Sequence, residues 1–154
     1  MPCIDPCFKR AAALTAALLT ACSSPNVPRS SDGAPVPSAG LGVPAPVRSM
    51  SEVRLQAAHR LVASNPGGTY LGTVPDVLLA IPVLEVELHG DGSIRRIHVL
   101  RRPGQAPETL QMAIDAMRRA APFGDVSRLP RPWKFSETFL FNDERKFKPR
   151  TLDN

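Results

Sequence analysis

Apolar and polar residues alternate most clearly in "VLEVELHGDGSIRRIHVLR", residues 83–101. Two runs of period two flank Asp91-Gly92, a dipeptide favoured in two-residue hairpin turns, so the stretch predicts an antiparallel hairpin. With that turn, Leu84 faces Val99 and Val86 faces Ile97 on one side. On the other side Glu85 faces His98 and Glu87 faces Arg96. One face is apolar and the other sets opposite charges directly across the strands, an arrangement that stabilises an antiparallel pair.

Elsewhere the period is helical. Ser49 followed by Glu52 forms a capping box, and Asn65-Pro66-Gly67-Gly68 stops the helix it opens. Val53, Ala57, Ala58, Leu61 and Val62 supply its apolar stripe. A second helix takes Pro107 at its first position and Glu108 at its positive end, with Arg118 and Arg119 in its last turn and Pro122 just beyond. Leu110, Ala113, Ile114, Met117 and Ala121 form its stripe. In "WKFSETFLFN", Trp133, Phe135, Phe139 and Phe141 recur at period two, which predicts a strand whose inner face Glu137 interrupts. Residues 69–81 fit no single element because Pro75 and Pro82 break them, and the charged tail "DERKFKPRTLDN" receives none. The expected fold is α+β: a small three-stranded antiparallel sheet backed by two helices, in the order α-β-β-α-β, over residues 49–154.

The first third of the chain has a different composition. Residues 22–48 are rich in Pro, Ser, Gly and Ala, lack aromatics and show no periodicity, which predicts a disordered tether. Upstream, Lys9 and Arg10 precede eleven uncharged residues, 11–21, in the order of a secretory signal. That run is about half the length needed to span a bilayer, which takes about 20 residues. It ends in Leu19-Thr20-Ala21-Cys22, which resembles the bacterial lipobox. The resemblance implies that residues 1–21 are a lipoprotein signal peptide, removed on maturation, and that Cys22 carries lipid, palmitate included. An ordinary signal followed by a chance cysteine is the alternative. Ser23-Ser24 lacks the Asp associated with inner-membrane retention, so the expected site is the outer membrane, with the domain in the periplasm. Of three cysteines, Cys3 and Cys7 leave with the signal, so the mature chain has no disulfide pair.

The hairpin, the stretch "AIDAMRRAAPFGDVSRLPRP" and the strand "WKFSETFLF" together resemble the C-terminal periplasmic domain of the TonB/TolA family. The resemblance covers residues 84–141 and implies a non-enzymatic domain that binds a protein or peptide by strand addition at its last strand. A lipid anchor has no access to the proton gradient, so the expectation is a tether without a motor. A TonB-type transport accessory is the remote alternative.

Net charge is +5 for 154 residues. Loss of residues 1–21 removes two basic residues and one acidic residue, leaving +4. The excess is mild and spread along the chain, unlike a nucleic-acid footprint. No nucleophile–base pair can be named, so no enzyme, cofactor or catalytic residue is expected. His89 and His98 do not lie opposite each other, and Glu85 and Glu87 each face a cation, so no metal site is expected either. The candidate partner-binding positions are Lys134, Ser136, Thr138 and Leu140 on the last strand, where an open edge can accept a further strand. Arg95, Arg96, Arg101 and Arg102 form a candidate basic face, reinforced by Arg118 and Arg119. Through that face an envelope-assembly accessory would meet membrane or cell wall, the second reading of the chain.

Overall fold

The computed structural model describes residues 41–153. The expected signal peptide, the lipobox with Cys22 and residues 22–40 of the expected tether lie outside the described residues. The elements are α1 (Met50–Ser64), β1 (Val83–Leu88), β2 (Ile94–Arg101), α2 (Glu108–Ala120), β3 (Lys134–Phe141) and β4 (Phe147–Pro149), closed by a 3-10 turn over Arg150–Leu152. The class is α+β as expected. The antiparallel sheet has four strands rather than three, in the order β2-β1-β3-β4.

β1 and β2 pair in the expected register: Leu84 with Val99, Glu85 with His98, Val86 with Ile97 and Glu87 with Arg96. The turn that produces it is different. His89 N–H donates to Ser93 O at 2.9 Å and Gly92 N–H to His89 O at 3.0 Å, so the loop is the three residues 90–92, with Gly92 at φ +80°. A three-residue loop with a left-handed glycine shifts the ladder by one residue relative to a two-residue turn. The shift is cancelled because Leu88 pairs with Ile94 while Glu87 pairs with Arg96, leaving Arg95 as an extra, bulged residue. A second irregularity leaves Leu100 bulged and exposed.

Local chemistry fixes the helix ends. Ser49 Oγ accepts from Glu52 N–H at 3.1 Å, and Glu52 reaches back to Arg48 N–H at 2.7 Å. The first bond satisfies a donor that the first turn leaves without a helical partner, and the second ties down the residue just before the cap. At the other end buried Asn65 donates from Nδ2 to Leu61 O at 2.8 Å and accepts from Arg119 Nε at 2.8 Å, tying α1 to α2. The last residues of the expected tether are also held. Gln56 Nε2 donates to Ala45 O at 3.1 Å, and Arg60 Nη1 donates to Gly42 O at 2.9 Å.

α2 buries Thr109, Ala113, Ala116, Met117 and Ala120, so its inward line is turned by about one residue from the expected stripe. Leu110, Ile114 and Ala121 flank the core instead. Alanines along the buried line let α2 come close to α1, which itself buries Ala57 and Ala58. The helices cover the sheet face made by Leu84, Val86, Leu88, Phe135, Phe139 and Phe141. Phe123, after α2, sits edge-on to Phe135 at 5.5 Å. Burial of each such side chain contributes roughly 1.5–3 kcal/mol.

β4 lies in the charged tail, where the sequence pattern assigns no element. The chain leaves β3 through a second three-residue loop, 143–145, built like the first. Asn142 N–H donates to Lys146 O at 2.9 Å and Arg145 N–H to Asn142 O at 3.1 Å, with Arg145 at φ +58°. Phe147 thereby returns against Phe139 and Phe141, ring centroids 5.0 and 5.6 Å away. The stretch between α1 and β1 adds to the sheet in two places. Gly68 O and Tyr70 N–H bond Phe147 on the outer side of β4, while Leu79, Ala80 and Pro82 bond Phe139 and Phe141 on the β1 side of β3.

Candidate functional site

The four candidate positions on β3 do not share one environment. Odd residues of β3 hydrogen-bond toward β1, as Phe139 N–H does to Pro82 O at 3.0 Å. The even residues therefore turn their backbone groups to the other side. Leu140 is matched there with Lys148 of β4 and is 3% exposed, so it is not an edge position. The unforeseen β4 is the reason. Thr138 N–H donates to the Glu137 carboxylate at 3.1 Å, and Lys134 N–H to Pro132 O at 3.2 Å. The opening expected along β3 shrinks to residues 134–138, centred on Ser136.

Glu137 does not open the strand to solvent. It is fully buried on the inner face, paired across from Leu84, and covered by the tail. Its Oε1 accepts from Thr138 N–H and from Thr151 N–H, both at 3.1 Å, and so fastens the 3-10 turn to β3. Burial pushes its pKa above the ordinary carboxylate value, against the opposing pull of those donors. Lys148, matched with Leu140, is held by the same tail: its Nζ bonds Asp153 Oδ1 at 2.8 Å and Gly72 O at 3.2 Å.

β2 is an end strand of the sheet, and its outer side is not paired by any strand among the described residues. Ladder alternation directs the backbone of Arg96 and His98 toward β1 and that of Ile97 and Val99 outward. Arg95, Arg96, Arg101 and Arg102 are all exposed around this edge, with Leu100 among them. Of the other two arginines, Arg118 pairs with Asp115 at 3.5 Å and Arg119 holds Asn65. The edge strand is thus basic, bulged at two positions and apolar at one. The sequence marks its charges but not its topological place, because nothing in a local pattern says which strand ends the sheet.

The sheet face away from the helices carries a compact polar group. His98 Nε2 lies 3.0 Å from Glu87 Oε1, and Lys134 Nζ lies 3.0 Å from Glu85 Oε2. The hydrogen bond from His98, with Arg96 and Arg95 nearby, lowers the pKa of Glu87 below the usual carboxylate range. His89, in the loop, and His59, on the outer side of α1, are exposed and lie outside this group.

Neither a protein-family model, nor a curated protein, nor a solved structure matches the chain. Among the described residues no helix is long and apolar enough to cross a membrane.

Proposed function

We propose that this chain is a non-enzymatic, lipid-anchored protein of the bacterial envelope whose α+β domain takes an extended protein or peptide segment as an added strand. The anchor is Cys22, the membrane is the outer one, and the domain works in the periplasm at the end of a proline-rich tether. The observation that carries the reading is the edge of β2, where the outward backbone groups of Ile97 and Val99 sit among Arg95, Arg96, Arg101 and Arg102. Outward N–H and C=O groups bind a strand of any sequence, while the side chains around them select its charge. Four arginines select an acidic segment. The bulges at Arg95 and Leu100 keep the regular part of the edge short, which disfavours self-association through it. Residues 134–138 of β3, with Lys134, Ser136 and Thr138, are the second, shorter edge.

The test uses the Cys22→Ser chain in solution with extended acidic and neutral peptides. Addition at β2 predicts amide shifts across residues 94–101 and new exchange protection at Ile97 and Val99. It also predicts that Arg95→Glu with Arg101→Glu weakens the acidic peptide at least about tenfold. Shifts confined to the arginine side chains, with no amide protected, would instead favour the second reading, contact of a basic face with anionic membrane or cell wall. Labelled palmitate tests the anchor separately: wild type takes it up and Cys22→Ser does not.

A further inference from the structure

The polar group on the open sheet face assembles donors of the kind that hold a transition metal. Glu85, Glu87 and His98 each offer one ligand atom, and these three atoms lie within 4.8 Å of one another. We propose that they form a site for a divalent first-row cation, Zn²⁺ in particular, on the outer face of the β1–β2 hairpin.

Geometry favours the assignment. Zn–N and Zn–O bonds of about 2.0–2.2 Å at tetrahedral angles place neighbouring ligand atoms about 3.3–3.6 Å apart. His98 Nε2 and Glu87 Oε1 are already 3.0 Å apart, so an entering ion has to spread that pair slightly and draw Glu85 in. Glu85 stands directly across from His98, and Glu87 is two residues along the same strand and the same face. Two adjacent hydrogen-bonded strands therefore set all three side-chain origins, and only side-chain rotation separates the present arrangement from a coordinating one. The carboxylates are half-buried, with side chains 23% and 28% exposed, so an entering ion displaces less water than at a free surface.

The surroundings define both the chemistry and its limit. Two carboxylates and one imidazole suit zinc and its neighbours better than calcium, which takes six to eight oxygens. Three protein ligands leave a fourth position to water. Lys134 Nζ bonds Glu85 Oε2 and leaves Oε1 of the same carboxylate for the ion, so it both orients the ligand and repels the charge that arrives. Arg96, across from Glu87, adds to that repulsion. The site is accordingly one of moderate affinity. Separate consideration of the histidines and of the carboxylates hides it, because the cluster takes one histidine and both glutamates.

The test is a zinc titration of the full, tag-free chain with Cys3, Cys7 and Cys22 replaced by Ser, so that thiols do not compete. Nitrogen shifts of the histidine rings and the heat of binding are followed together. One equivalent of zinc is expected to move the His98 Nε2 resonance and the amides of residues 85–87 and 96–98. His98→Gln and Glu87→Gln each weaken binding at least about tenfold, whereas His59→Gln and His89→Gln leave it unchanged. Lys134→Met, which removes the competing ammonium from Glu85 and lowers the local positive charge, tightens binding several-fold. Absence of saturable binding up to about 1 mM zinc, a Kd beyond which no specific site is claimed, would overturn the proposal. So would undiminished binding in His98→Gln, or an affinity that Lys134→Met leaves unchanged.

Discussion

Gly92 is held by two independent constraints, and its replacement by alanine gives the sharpest test of how the hairpin is seated. Its φ of +80° lies in the left-handed region, where a side chain costs about 1–2 kcal/mol. A Cβ built there would stand 2.1 Å from Gly124 O, a backbone atom with no rotamer in which to retreat. Relief requires the 122–126 segment to withdraw from the loop. That withdrawal breaks Phe123 N–H to Gly92 O at 2.9 Å and Val126 N–H to Gly90 O at 2.8 Å. Phe123 and Val126 are both fully buried, and each amide left without a partner in such surroundings costs about 1–3 kcal/mol. Gly92→Ala should therefore lose at least about 3 kcal/mol, a large part of the 5–15 kcal/mol typical of a domain. Gly90→Ala is the control. Its nearest contact would be Ser127 Cβ at 3.5 Å and its φ is not left-handed, so the change should stay within about 1 kcal/mol of wild type. Urea denaturation of both variants, followed by circular dichroism, decides the matter. A loss below about 1 kcal/mol in Gly92→Ala, or equal effects in the two variants, would refute the reasoning.

The second loop reverses the experiment. Arg145 occupies the left-handed position at φ +58° and its side chain forms an exposed ion pair with Glu108, so Arg145→Gly should gain roughly 0.5 kcal/mol by urea titration; a loss above about 1 kcal/mol would show that the pair dominates. Phe147→Ala should cost about 3–5 kcal/mol in the same assay, because Phe147 is 3% exposed against two other rings. Asn65→Ala, which loses the bonds to Leu61 O and Arg119, should cost about 1–2 kcal/mol, and a change of a few tenths would show that water replaces them. Glu137 predicts a pH dependence. Its raised native pKa means that the folded chain keeps a proton which the unfolded chain has released once pH passes the ordinary value of 4.5. Its contribution to stability therefore falls as pH rises from there to the raised value, and is level above it. Glu137→Gln keeps Oε1 as an acceptor for Thr138 and Thr151 and should remove that fall; identical pH slopes in wild type and variant would contradict the burial argument.

The hairpin shows how a correct register can be read from a turn that is not there. Asp91-Gly92 suggests a two-residue turn, and the alternation on either side supports it. The three-residue loop shifts the ladder one way and the bulge at Arg95 shifts it back, so the faces come out as read. Alternation carries that much information because a one-residue slip exposes every apolar side chain, and the chain must find some irregularity that prevents it. The same logic explains the missing strand. The loop before β4 repeats the construction of the first, but its left-handed site is filled by Arg145 rather than glycine, and "FKP" has too few residues to alternate. A local signal existed only in Phe147, an aromatic residue alone in a charged tail.

That omission changes the meaning of the residues around it. Without β4, the last strand ends the sheet, Glu137 interrupts its inner face and Leu140 is available to a partner. With β4, Glu137 is buried beneath the tail it fastens, Leu140 is paired, and among the described residues the end of the sheet with open backbone is β2. In the sequence the arginines read as a charged surface and β3 as a separate edge, because sequence places charges along a strand but not strands within a sheet. Once β2 ends the sheet, charge and outward backbone fall on the same element. On the proposed reading, recognition has a direction: an acidic strand is favoured there over a basic one. The two glutamates of β1 that balance these arginines lie on the open face and not at the edge. A partner bound along β2 and a cation bound at Glu85, Glu87 and His98 would therefore share the hairpin without sharing ligands, and zinc at the face should add to the acidic preference of the edge.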